Sequence, residues 1–289
     1  CSFRAMAMTI QTAIVVEGGA MRGVFAAGVL DGLLELGIAD FDLAIGTSAG
    51  ACNLASFVAG QHGRNLRCYL NIMARRRLFS LRRALRGGHY MDLDWLWDAF
   101  AAEDPLDEAA IAQARTQLVS VATCARTGEP VYLTARPPRI HQDLKAGCAL
   151  PFLYRGPVSL EDRHVVDGGL VDPIPAQEAY RRGARRLIVI RSRPSSVVKK
   201  NSALTRPVAA MLFRTPALAR ASLLTAERYQ RAVAFVHAPP SDAQVLELAP
   251  SMPLQTKRTT QNVTHLRADY TLGRQLAHRS HEQLRTLLS

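Results

Sequence analysis

From residue 12 to residue 59 the chain reads strand, helix, strand, helix, with a glycine-bearing turn after each strand, and this alternation narrows the fold more than any other feature. Thr12 to Glu17 (TAIVVE) is a β-branched run stopped by Gly18-Gly19, the pattern of a buried strand. Val24, Ala27, Val29, Leu30, Leu33, Leu34 and Leu36 then recur at helical spacing until Gly37 ends the run. Asp42 to Gly46 (DLAIG) predicts a second strand, and Ala49 to Ala59 a buried helix. Strands separated by helices pack as a parallel sheet with right-handed crossovers. Leu118 to Ala125, Val131 to Ala135, Arg163 to Val166 and Arg186 to Arg191 supply further strands. Arg64 to Ala102 is mostly helical in pattern and reads as an insertion over one edge of the sheet.

Beyond Arg193 the character changes. Pro194-Ser195-Ser196 opens a polar, basic connector, helical periodicity returns from Pro207 to Ala234, Gln244 to Leu248 is strand-like, and Asn262 to Leu288 reads as one or two helices. The expected division is an α/β body over residues 8–193 and a mainly helical extension, residues 194–289, packed on it. Residues 1–7 are set aside as an expression scar, with Met8 as the native start.

With 48% hydrophobic residues and mean hydropathy near zero, the chain can bury a large core, which excludes wholesale disorder. The apolar stretches near Ile45 and Ala51 are interrupted by Thr47, Ser48, Asn53 and Ser56, so no transmembrane helix is expected. Nor is a signal peptide, since Cys1 to Gln11 holds no apolar core. The cysteines, Cys1, Cys52, Cys68, Cys124 and Cys148, are odd in number with no C-x-x-C pair. That argues against a disulfide framework or a metal site and for a reducing, cytoplasmic compartment. The net charge of +12 is clustered: eight arginines and no acid lie between Arg64 and Arg86, and eleven basic residues and no acid between Ala179 and Ala226. Such clusters suit phosphate-bearing partners, whether lipid headgroups or nucleic acid, or are simply a solvated basic surface.

Gly46-Thr47-Ser48-Ala49-Gly50 matches G-x-S-x-G directly after a strand and before a helical run. A serine on so tight a strand-to-helix turn is strained, and only small neighbours such as Gly46 and Gly50 let the chain pass. The following helix N-terminus favours negative charge beside the hydroxyl. A nucleophilic serine needs a base and an oxyanion hole. The loop Glu17-Gly18-Gly19-Ala20-Met21-Arg22-Gly23 offers backbone N–H groups for the hole, with Arg22 adding positive charge. The same loop is a degenerate dinucleotide fingerprint, with Asp40 or Asp42 in place of the ribose-binding acid. Asp167, after a short apolar strand and before Gly168-Gly169, is the best candidate base. An ordinary Asp-Gly turn is the bland alternative.

Together these pieces resemble the patatin-like phospholipase family, which carries a glycine-rich loop ending in Arg-Gly, a G-x-S-x-G elbow and a later Asp-Gly-Gly/Ala. Order and context match, and Lys145 to Phe152 is similar to the family's small-residue helix end with its proline (Pro151). The resemblance spans about Ile14 to Ile190. It implies a three-layer α/β/α fold with a central, mostly parallel sheet, here with a helical C-terminal region, as in a bacterial branch of the family. It implies a Ser48–Asp167 dyad without a histidine relay, an oxyanion hole at Gly18, Gly19, Ala20, Arg22 and Gly23, no cofactor, and lipid or acyl-ester substrates. Two departures are Glu17, where the family has Asp, and Ala20, where it has a third glycine. Ala20 can still donate its amide if its φ is negative.

Two other chemistries stay open. An α/β-hydrolase esterase would need a histidine after Ser and Asp, for which His237, following VAFV, is the most credible; His164 stays unassigned. A basic membrane-binding or nucleic-acid-binding protein with an inert turn is the third reading. Within the patatin-like reading no nucleic acid is expected. Arg64 to Arg86, with leucines and aromatics interleaved among arginines, suits peripheral contact with an anionic membrane or, more blandly, a helix packed on the core.

Overall fold

The computed structural model describes residues 10–161, 163–197 and 215–289. Residues 1–7, and the part of the predicted helical run from Pro207 to Arg214, fall outside the described residues.

Every residue of β1 (Thr12–Val16) after Thr12 is fully buried. Period-two alternation sends Ile14 and Val16 to one face and Ala13 and Val15 to the other. The first pair joins a core with Phe25, Val29, Leu33, Leu54 and Leu284. The second joins Ile174, Ala179, Tyr229 and Val236. A strand apolar on both sides requires helices on both sides, so the chain forms three layers. β2 (Leu43–Thr47) and β7 (Arg186–Ile190) flank β1 in parallel, β3 (Gln117–Cys124) lies parallel beyond β2, and β8 (Gln244–Leu248) parallel beyond β7. β4 (Pro130–Thr134) pairs antiparallel with the far edge of β3, while β6 (Arg163–Asp167), with β5 (Val158–Leu160) beyond it, pairs antiparallel with β3 past the end of β2. This is a mixed, mostly parallel sheet with flanking helices.

The C-terminal region is helical, but it also extends the sheet through β8. Its long helix, Val263–Arg279, lies along α1 (Gly23–Glu35). Glycines permit the approach: a Cβ on Gly28 would stand 2.0 Å from the Tyr270 carbonyl oxygen, and one on Gly273 2.1 Å from that of Phe25. Tyr270 Oη donates to the buried Asp31 carboxylate at 2.7 Å across this contact.

The stretch from Arg64 to Ala102 differs from the expectation of an insertion over a sheet edge. Its buried Tyr69, Ile72, Leu78 and Leu96 pack with Met21, Val24 and Ala27 near the start of α1 and with Leu266 and Tyr270 of the C-terminal helix. Several of its arginines are structural. Arg64 is buried and donates to Ser56 Oγ at 2.8 Å and to the Asp104 carbonyl at 2.7 Å. Arg83 donates to four carbonyls, those of Arg77, Leu78, His89 and Tyr90. Among the described residues no helix is long and apolar enough to cross a membrane, and no cluster of three His, Cys, Asp or Glu could hold a metal ion.

Candidate active site

Ser48 sits between β2 and α2 (Ala49–Val58) at φ 55°, ψ −129°, a region that costs a non-glycine residue about 1–3 kcal/mol. The flanking glycines are sterically required. A Cβ on Gly46 would lie 2.6 Å from the Ala51 amide nitrogen, and one on Gly50 2.6 Å from the Val16 carbonyl oxygen. The turn therefore presses α2 against the ends of β1 and β2 and leaves the serine at the carboxyl edge of the sheet.

Strand register brings Asp167 to the same place. On β3, Val121 pairs with both Thr47 and Tyr132, and Ala122 with both Val131 and Asp167. β4 occupies one edge of β3, so β2 and β6 share the other and meet end to end. The last residue of each stands opposite consecutive β3 residues. Thr123 Oγ1 donates to the Asp167 carbonyl at 2.8 Å, and Thr47 Oγ1 to the Asp172 carbonyl at 2.7 Å, fastening both strand ends. Gly168 begins a tight turn in which the Gly169 amide donates to Asp167 Oδ1 at 2.7 Å. Oδ2 is buried without a hydrogen-bond partner. Ser48 is close enough to favour the ionised carboxyl but makes no well-formed hydrogen bond with it, a looseness common in unliganded sites. Burial pushes the Asp167 carboxyl up to about 6, against the opposing pull of Ser48, the Gly169 amide and Arg258.

The glycine-rich loop is only partly available to an oxyanion. The Gly18 amide donates to the Pro173 carbonyl at 3.2 Å, and the Gly23 amide is spent on the short helix that precedes α1. Those of Gly19 and Ala20 carry no hydrogen bond among the described residues. Ala20 adopts φ 49°, so the condition of a negative φ is not met and alanine here occupies a left-handed conformation that glycine takes more readily. Arg22 Nε donates weakly, at 3.5 Å, to Ser192 Oγ, and its Nη2 is buried without a partner. Glu17 accepts from the Ser192 amide at 2.7 Å.

Two compartments meet over Ser48, Ala20 and Leu150. One, with a cavity volume of about 70 Å³, is walled by apolar side chains including Met21, Tyr69, Leu78, Met91, Leu96 and Phe100. The other, of about 140 Å³, holds Asp167 and Glu17 with Arg193, Thr225, Tyr229 and Arg258. Cys148 borders the first, its Sγ 3.5 Å from that of Cys52. Contact with Cys52 and then burial push its thiol far up, so it stays a neutral thiol beside the serine.

Other sequence candidates lie elsewhere. No histidine lines either compartment among the described residues. His237 is exposed and pairs with Glu247 Oε2 on β8 at 3.2 Å, and His164 with Ser159 Oγ at 3.0 Å. Asp42 accepts from the Gln11 and Thr12 amides at 2.9 and 3.0 Å, at the opposite end of β1 from the glycine loop, which removes it as a ribose ligand. Sequence reasoning missed Thr47 and Thr123 as fasteners and Arg193 and Arg258 as site residues. Thr47 at the variable position of the elbow is the one readable signal, whereas nothing local marks Arg258.

Comparisons with known proteins agree with this architecture. A family model described as patatin-like phospholipase matches residues 14–180, and one described as a domain of unknown function, DUF6363, matches residues 215–289. The chain is 34% identical over 267 residues to a protein of Escherichia coli (strain K12) described as uncharacterized protein YjjU, covering 91% of this chain and 74% of that one. Among solved structures, VipD from Legionella pneumophila aligns with a TM-score of 0.48 at 11% identity, over 96% of this chain and 67% of its own. The glycine loop, the serine turn, Asp167 and strands β2 to β6 lie inside the first matched segment, and the chain belongs to the patatin-like phospholipase family.

Proposed function

We propose that the protein hydrolyses carboxylic esters of lipids through an acyl-enzyme on Ser48, with Asp167 as its base. The observation that supports this reading is that a strained serine and a buried carboxyl oxygen without a hydrogen-bond partner line one compartment, beside a second, apolar one. Asp167 accepts the hydroxyl proton as Ser48 Oγ bonds to the ester carbonyl carbon. The proton then passes to the departing alkoxide. Water, deprotonated by Asp167, releases the fatty acid and restores the serine. A carboxylate near pKa 6 is a better base than an ordinary aspartate and is still ionised at neutral pH. The Gly19 amide, which carries no other hydrogen bond among the described residues, is suited to the tetrahedral oxyanion. The apolar walls of the first compartment suit an acyl chain.

Ser48→Ala is expected to abolish both labelling by a fluorophosphonate and hydrolysis of a panel of short and long acyl esters, including phospholipid vesicles. Retained labelling and turnover would refute the assignment of the nucleophile. His237→Ala should leave turnover within about twofold; a large loss would restore the histidine-relay reading.

A membrane role for Arg64 to Arg86 narrows to its end. Arg64, Arg67 and Arg75 are held by Ser56, Asp104 and Glu103, and Arg77 stacks 5.3 Å over Trp95. The short helix Leu81–Leu85 instead leaves Leu81 and Leu85 66% and 80% exposed beside Arg82 and Arg86. The residues on either side, Leu78, Phe79 and Met91, line the apolar compartment. An apolar pair ringed by cations suits insertion into an anionic leaflet at the mouth of an acyl site. L81S/L85S should lower binding to phosphatidylglycerol vesicles about tenfold while short soluble esters are turned over as before; unchanged sedimentation with vesicles would remove the helix from the interface.

A further inference from the structure

We infer that the C-terminal region completes the substrate site, with Arg258 and Arg193 forming a receptor for a phosphate group of the lipid. This rests on the ester-hydrolase reading above. The two compartments differ in character on either side of Ser48: apolar side chains line most of one, and the other brings Arg193 and Arg258 together with Glu17 and Asp167. That is the shape of an amphiphile whose scissile ester lies over the serine, acyl chain one way and headgroup the other.

The second compartment sets Arg193 and Arg258 against Glu17 and Asp167, with Arg22 close by. Arg258 lies in the segment between β8 and the long C-terminal helix, outside the 14–180 match. Its carbonyl accepts from the Met21 amide at 3.3 Å, which ties the segment to the glycine loop. Its side chain, on an exposed residue at the rim of the compartment, makes no hydrogen bond or ion pair among the described residues and is near enough to feel Asp167, Glu17 and Arg193. Arg193 stands 3.8 Å from Glu17 and stacks over Tyr229, with its Nε buried and without a hydrogen bond. Arg22 joins them: burial, then the charges of Arg193 and Arg258, hold it down at about 10. Three cations therefore repel one another around Glu17, with Asp167 committed to the serine. An anion in the cleft would relieve that repulsion and take up the unpartnered N–H groups.

Phosphate fits better than a lone carboxylate. Its tetrahedral oxygens can engage two guanidinium forks at once, from different directions. A phosphomonoester or phosphodiester next to the glycerol ester would sit one compartment away from the acyl chain, as the geometry requires. Free inorganic phosphate shares this chemistry without the ester.

The test compares wild type, R258Q, R193Q and R258K on a phosphatidic acid, a phosphatidylglycerol and a diacylglycerol with the same acyl chains, in one detergent. Calorimetric titrations with glycerol 3-phosphate and inorganic phosphate run alongside. Wild type should prefer the phosphate-bearing esters, and R258Q should lower that preference in kcat/KM about tenfold, mainly through KM. R258K, keeping a point charge, should recover part of it. Glycerol 3-phosphate should bind wild type at least tenfold more tightly than R258Q. A preference unchanged in both glutamine variants, whether both activities fall together or neither falls, would overturn the proposal. So would inorganic phosphate binding as tightly as glycerol 3-phosphate with no discrimination among esters, which would mark a free-phosphate site. Should Ser48→Ala retain hydrolysis, the ester-hydrolase reading fails by itself, and calorimetry still decides whether Arg258 binds phosphate.

Discussion

Asp167→Asn should lower turnover by about 10⁴-fold, as replacement of an essential carboxylate partner does in serine hydrolases, and should at the same time make the protein more stable. The carboxyl is buried, and its folded value of about 6 lies above the ordinary 3.8. The folded state thus holds this proton more tightly than the unfolded chain. The resulting penalty is absent below about pH 3.8, grows between there and about 6, and is complete above. A shift of this size corresponds to about 3 kcal/mol, so at pH 8 the neutral amide should raise Tm by several degrees. Near pH 4 the gain should have largely vanished. Calorimetric melts at both pH values check this, and equal stabilisation at each would detach the effect from ionisation. In wild type, kcat/KM should fall as pH drops through about 6. Because Arg258 holds the carboxyl down, R258Q should move that limb to higher pH.

The second large effect concerns the joint between α1 and the C-terminal helix. In an exposed helix, Gly→Ala usually stabilises by up to about 1 kcal/mol. At Gly28 and Gly273 the sign should reverse. The added methyl would meet the Tyr270 or Phe25 carbonyl oxygen at 2.0 or 2.1 Å, and backbone cannot swing aside as a side-chain tip can. Each Ala variant should lose about 3 kcal/mol, at the upper end of overpacking costs, measured by urea denaturation. Stability equal to or above wild type would show that the two helices are free to part.

The fold was legible wherever burial and periodicity spoke together. The run Ala13 to Val16 had to be a strand covered on both faces, and Val24 to Leu36 had to be a helix, since no other geometry buries that spacing. The same patterns could not say that Gln244 to Leu248 would join β7, because pairing is decided by residues remote in sequence. The candidate site was legible in its pieces for a related reason. Gly46, Ser48 and Gly50 announce a turn whose sterics are local, and Asp167 was singled out by its strand and its glycines. The arginines of Arg64 to Arg86 read in sequence as one interleaved run, whereas Arg64 and Arg83 are taken up by carbonyl oxygens that no linear pattern reveals. Arg258 carries no local signature at all. Its meaning comes from the Met21 amide that holds its backbone and from the cleft its segment closes.

One consequence follows from the way β2 and β6 abut along β3. The separation of the serine and the aspartate is set by a single peptide step of one strand, Val121 to Ala122, and not by the long excursion of chain between them. That excursion is thereby released to vary. It can lengthen, shorten or be rebuilt around a different pocket while the two side chains keep their spacing, much as a vice holds its gap whatever is bolted to the bench.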